Sequence, residues 1–135
     1  MQTARCRPAC ALEGRRIVVL DDAPELTGTL CELFRSLGAD AEPVTTCTQA
    51  MSVLSARHTD ALVSDLVMPR ADGYDIARWA RMRPRFDALQ LVALSGLGGL
   101  RPWLLAAACG FDVVLSKPAD VDMLVLAVMM RKRAA

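Results

Sequence analysis

The 135-residue sequence predicts an α/β domain, a parallel sheet covered on both sides by helices. Two observations predict it. Strand-like and helix-like segments alternate five times with short connections. Four short runs, Ile17-Val18-Val19-Leu20, Ala61-Leu62-Val63-Ser64, Leu91-Val92-Ala93-Leu94 and Val113-Val114-Leu115, are apolar on both faces, as strands inside a parallel sheet are.

The elements follow in order. Residues 1–14 lack periodicity, hold Pro8 and Gly14, and read as a flexible leader ahead of one domain at 15–133. Arg15 to Leu20 is the first strand. Asp22-Ala23-Pro24 opens the first helix, with an acidic cap and proline in the first turn. Leu26, Leu30, Leu33, Phe34 and Leu37 then keep helical spacing, and Gly38 ends the helix. Ala41 to Val44 is a short second strand; Pro43 places it at a sheet edge, because proline cannot donate to the ladder. Thr46 to Arg57 is the second helix, with Ala50, Met51 and Leu54 inward. Thr59 to Asp65 is the third strand, and Asp72 to Arg83 the third helix, with Ile76, Trp79 and Ala80 inward. Leu89 to Ser95 is the fourth strand. A glycine-bearing loop, Leu97 to Leu100, leads to a fourth helix from Pro102 to Cys109, closed by Gly110. Asp112 to Leu115 is the fifth strand and Val121 to Lys132 the fifth helix.

Composition narrows the function. No apolar stretch reaches the ~18 residues that span a bilayer, and Arg5 and Arg7 are not followed by a signal-peptide core. The expected location is cytoplasmic. A net charge of +1 with no basic face argues against nucleic-acid binding. The five cysteines, Cys6, Cys10, Cys31, Cys47 and Cys109, fit no disulfide framework. Cys6 and Cys10 lack the further ligands a tetrahedral metal site needs, since His58 is the single histidine. Free thiols in a reducing compartment are expected.

The runs differ in what stands at their carboxyl ends: Asp21-Asp22 after the first strand, Asp65 after the third, Ser95 after the fourth and Lys117 after the fifth. In an open parallel sheet those ends form one edge, where ligands bind. Three carboxylates, a hydroxyl and an ammonium would converge there.

Asp21-Asp22, Asp65 with Met68-Pro69 and Gly73, Ser95-Gly96 and Lys117-Pro118, in that order, resemble the receiver domain of two-component response regulators (the CheY-like superfamily) over about residues 15–133. The resemblance implies a (βα)5 flavodoxin-like, doubly wound sheet with strand order 2-1-3-4-5, in agreement with an edge position for the second strand. It implies that Asp65 accepts a phosphoryl group from a histidine kinase or histidine phosphotransfer protein. It implies Mg2+ as cofactor, held by Asp22, Asp65, Asp21 directly or through water, and the backbone carbonyl of Val67. Such an ion suits crowded oxygen ligands and neutralises phosphoryl charge. Lys117 would pair with a phosphoryl oxygen, Ser95 would donate its hydroxyl to another, and Pro118 is a candidate cis proline. Gly73 would ease the chain into the third helix. The implied role is a signalling switch acting through protein contacts, with self-phosphorylation and slow self-dephosphorylation as its only chemistry.

The chain departs from the family pattern in three places. The aromatic residue usual three positions before the lysine is Val114, which cannot make a ring movement on activation. The positions that often handle the hydrolytic water are Val67 and Leu97, both apolar, so a long-lived aspartyl phosphate is expected. The fourth and fifth helices are unusually apolar. A helix apolar all round is covered all round, so a homodimer or an effector is expected on a face holding Leu100, Trp103, Val114, Val125 and Met129. No effector domain fits after Lys132, which favours a stand-alone receiver. The stretches around Ser64-Asp65, Asp72-Gly73-Tyr74 and Gly110-Phe111 also look like receivers of hybrid histidine kinases, which keeps that alternative open. A passive interaction module is disfavoured, since the whole acceptor set is present. An aspartate-nucleophile phosphatase of the haloacid dehalogenase type would need a second aspartate where Val67 stands.

Overall fold

The computed structural model describes residues 10–68, 73–96 and 98–130. Five βα units succeed one another: β1 (Arg16–Leu20), α1 (Pro24–Ser36), β2 (Asp40–Val44), α2 (Cys47–Ala56), β3 (Ala61–Asp65), α3 (Gly73–Arg81), β4 (Gln90–Ser95), α4 (Leu100–Cys109), β5 (Val113–Ser116) and α5 (Val121–Met129). A single 3-10 turn, Pro84–Phe86, lies between α3 and β4. All strand pairs are parallel and the order is β2-β1-β3-β4-β5. Pro43 is therefore on an edge strand, as its missing N–H requires.

Alternation along the strands divides the core into two layers. Ile17, Val19, Val63, Val92 and Leu94 meet α1 and α5 through Phe34, Cys31, Leu124 and Val128. Val18, Leu20, Leu62, Leu91 and Ala93 meet the opposite helices through Leu54, Ile76, Ala80 and Ala106. With helices on both faces, the central strands are buried end to end, and the carboxyl ends of β1, β3, β4 and β5 lie side by side.

Several details differ from the sequence reading. Residues 10–14 form a turn, and Leu12 is wholly buried, with its N–H donating to the Leu37 carbonyl at 2.8 Å. Packing against the core thus begins ahead of residue 15, because one leucine fills the gap beneath α1 and α5. In α1 the buried residues are Thr27, Cys31 and Phe34, while Leu26 is exposed. The Thr27 hydroxyl can be buried because it donates to the Pro24 carbonyl at 2.9 Å. The N-cap is Ala23, not Asp22. α4 starts at Leu100, two residues before Pro102, where Gly99 caps it. α3 and α5 end at Arg81 and Met129, and β3 begins at Ala61. Pro69, Asp72, Leu97, Lys132, Cys6 and the rest of residues 1–9 lie outside the described residues. Among the described residues four cysteines are free thiols, and no helix is long and apolar enough to cross a membrane.

Candidate phosphoacceptor site

β1 and β3 are neighbours, so the residues that end them are brought together. Asp21 is buried at 3% exposure, Asp65 is buried, and Asp22 is exposed at the rim. One carboxylate oxygen from each lies within 4.8 Å of the others. Lys117 reaches in from the β5 end, its Nζ 3.2 Å from Asp65 Oδ1 and 3.6 Å from Asp21 Oδ2. Ser95 ends β4, buried, and its carbonyl accepts the Lys117 N–H at 2.8 Å, which ties the hydroxyl-bearing and ammonium-bearing residues to one register. The Lys117-Pro118 peptide is cis. All five polar residues singled out by sequence are thus at one edge, and Val67 stands beside them with its side chain exposed at 53%.

The site is held by backbone. Asp21 Oδ1 accepts the Ala23 N–H at 2.9 Å, and Asp65 Oδ1 accepts the Val67 N–H at 3.3 Å. The Ser64 hydroxyl donates to the Asp65 carbonyl at 2.9 Å. Gly73 packs on that same carbonyl: a Cβ there would stand 2.2 Å from Asp65 O. Gly73 is therefore required by its close approach to the Asp65 backbone, a sharper role than easing the chain into α3. Sequence reasoning gave Ser64 no place in the site, since the bond a strand serine makes is not readable until its partner is known.

The carboxylates outnumber the positive charge beside them. Burial pushes the Asp21 carboxyl above its ordinary range. The Ala23 N–H opposes this, Asp65 adds to it, Lys117 offsets part of it, and Asp22 adds to it again. Among the described residues, Asp21 Oδ2 is buried without a hydrogen-bond partner. A buried carboxylate oxygen left without a donor, amid two further carboxylates, fits a hard cation with oxygen ligands. One lysine is too little positive charge for three acidic groups.

The protein-family model for the response regulator receiver domain matches residues 17–129. The chain belongs to that family, the receiver domains of two-component signal transduction. It is 28% identical over 118 residues to the sensor protein EvgS of Escherichia coli K12, a match covering 87% of this chain and 10% of EvgS. It is 25% identical over 116 residues to protein PilG of Pseudomonas aeruginosa, covering 86% of each. The receiver domain of a signal transduction histidine kinase from Syntrophus aciditrophicus superposes with a TM-score of 0.78 at 27% identity, covering 86% of this chain and 88% of that one. The chain thus spans about a tenth of the length of EvgS and most of the length of PilG.

The face expected to meet a partner needs correction. Val114 is 6% exposed and packs among Ala106 and Phe111; Val125 is 4% exposed and belongs to the α1–α5 layer. Neither stands on the outer surface of that face. Leu100, at 70% exposure, Trp103 and Met129 are on the surface, joined by Leu104, Leu105, Met123 and Leu126. A helix apolar all round shows no period, so its sequence did not reveal which side faces the sheet. A groove of about 440 Å³ runs between α4 and β5, lined by Trp103, Phe111, Val114 and Met123.

Proposed function

We propose that this receiver is a phosphorylation switch that takes a phosphoryl group on Asp65 from a histidine kinase or a histidine phosphotransfer protein. The observation that carries the reading is the convergence of Asp21, Asp22 and Asp65 within 4.8 Å, with Lys117 3.2 Å from the acceptor carboxylate. In the transfer, an Asp65 carboxylate oxygen forms a bond to phosphorus. The bond from phosphorus to the donor imidazole breaks, and its electron pair stays on the imidazole nitrogen. Lys117 holds the acceptor by charge before transfer and a phosphoryl oxygen after it. Ser95, two strands away from β1 on the same edge, donates its hydroxyl to a second oxygen.

Asp21, Asp22, Asp65 and the carbonyl of Val67 would hold Mg2+, which supplies neutralisation of the charge that gathers on the phosphoryl oxygens. Val67 is an apolar neighbour of the acceptor and cannot orient a hydrolytic water, so the phosphorylated state decays slowly. The partner surface is the exposed apolar face of α4 and α5 with Leu100, Trp103 and Met129, serving a second copy or an effector protein; a large exposed apolar patch is seldom idle. The setting is cytoplasmic.

A second reading is that the chain is the receiver module of a hybrid histidine kinase. The similarity to EvgS supports it, whereas the similarity to PilG over 86% of its length supports a stand-alone receiver. Incubation with magnesium and acetyl phosphate, read by intact mass, tests the function directly. One added phosphoryl group on the wild type and none on Asp65→Asn is expected; an adduct on both would reject Asp65. Light scattering at high concentration, with and without a beryllofluoride mimic, tests the dimer, and a monomer in both states would remove it.

A further inference from the structure

The pole opposite the acceptor carries a second groove, of about 390 Å³, at the amino-terminal ends of the strands. Three guanidiniums, Arg15, Arg57 and Arg85, line it against one carboxylate, Asp60. That carboxylate is already engaged. Its Oδ2 accepts the Arg16 N–H at 2.8 Å and its Oδ1 faces His58 Nε2 at 3.0 Å.

The arginines are less well matched. Arg15 donates to the Met129 carbonyl and Arg85 to the Ser55 carbonyl, and among the described residues neither lies in an ion pair. Arg57 meets Asp40 at 3.3 Å, a carboxylate it shares with Arg16. Each guanidinium has five N–H donors in a fixed fork, so most of this donor capacity is left over. The floor between them is apolar, formed by Phe86 and Leu89 with Leu54 beneath. The Arg85 guanidinium lies over the Phe86 ring, 5.0 Å from its centre, so a ligand reaches that ring once the exposed arginine swings onto a phosphate.

Arginine forks with donors to spare suit a phosphate group, and a groove of this volume with apolar side chains at its base suits a small ring-bearing body. We propose that this groove binds a phosphate-bearing small molecule of the nucleotide class, with its phosphates on Arg15, Arg57 and Arg85 and its base against Phe86 and Leu89. The proposal is independent of the acceptor reading, because the two sites lie at opposite ends of the sheet.

The test is a titration of the isotopically labelled protein with ADP in the absence of magnesium, followed by amide shifts, with inorganic phosphate as the comparison. Saturable shifts at Thr59, Asp60, Ala88 and Leu89 are expected. Arg57→Gln with Arg85→Gln should weaken binding about tenfold or more, from the loss of two charge-assisted contacts, and Asp65→Asn should leave it unchanged. Both arginines are exposed, so the double variant keeps its fold, and either single variant serves if its melting temperature falls. Shifts centred on Asp21, Asp65 and Lys117, no saturation, or an affinity untouched by the arginine changes would each overturn the site. Inorganic phosphate binding as tightly as ADP would overturn the role of the apolar floor.

Discussion

Two charged clusters of this domain stand at opposite ends of the sheet and are built on opposite principles. At the acceptor end, three carboxylates crowd together, and among the described residues Lys117 is the one cation in contact and Asp21 Oδ2 has no hydrogen-bond partner. At the other end, Arg81 donates to the carbonyls of Gly110, Phe86 and Leu89 and to the Asp112 carboxylate, all at 2.8 to 3.0 Å. Asp112 Oδ2 in turn accepts the Leu91 N–H at 2.8 Å. Gly110, at φ +115°, completes the fit, since a Cβ there would lie 2.3 Å from Arg81 Cγ. One residue thus ties α3, the 3-10 turn, β4 and β5. The satisfied cluster stabilises the fold. The unsatisfied one costs stability and is kept for what it can bind, the trade expected where function sets the residues.

Breaking the satisfied cluster should give the largest change in stability. Arg81→Ala removes four hydrogen bonds from a mostly buried side chain and should lower the unfolding free energy by about 3 kcal/mol. Urea denaturation reads this, while phosphorylation per folded molecule should be unaltered. Gly73→Ala comes next. Its Cβ must push the Asp65 carbonyl aside, and the cost should be about 1–3 kcal/mol of overpacking, together with a slower phosphorylation rate that Arg81→Ala does not show.

Relieving the unsatisfied cluster should act in the other direction. Asp21→Asn should stabilise the metal-free protein by about 1 kcal/mol and abolish the rise in melting temperature that magnesium gives the wild type. The sign of its pH dependence follows from the raised carboxyl. The penalty is in force above the folded-state pKa, where Asp21 is charged in both states. It shrinks as pH falls through that value and is gone below the ordinary aspartate range. The stability gap between variant and wild type should therefore close on acidification; a gap that widens contradicts the account. The smallest effect belongs to Val67→Asn, which should speed loss of the phosphoryl group severalfold, within about 1 kcal/mol of barrier. An unchanged decay rate would remove Val67 from the explanation of a slow site.

The acceptor cluster was legible in sequence because each member ends an apolar run, and parallel strands bring their ends together without further information. The Arg81 cluster was not, because an arginine in the last turn of a helix looks like a solvated cation until the carbonyls of three distant segments close around it. The buried face of α1 was not legible from leucine spacing alone: Leu26 keeps the spacing yet is exposed, and Thr27 is buried through a local bond to Pro24. Val114 and Val125 were placed outward because β5 and α5 are apolar on every side, so neither period could orient them.

The most direct test of the account is to trap the phosphorylated protein with borohydride after treatment with magnesium and acetyl phosphate, then sequence its peptides by mass. An aspartyl phosphate is reduced to homoserine. The account predicts homoserine at position 65, lost when Lys117 is changed to alanine or magnesium is withheld. Homoserine at Asp21 or Asp22, or labelling that ignores both magnesium and Lys117, would contradict it.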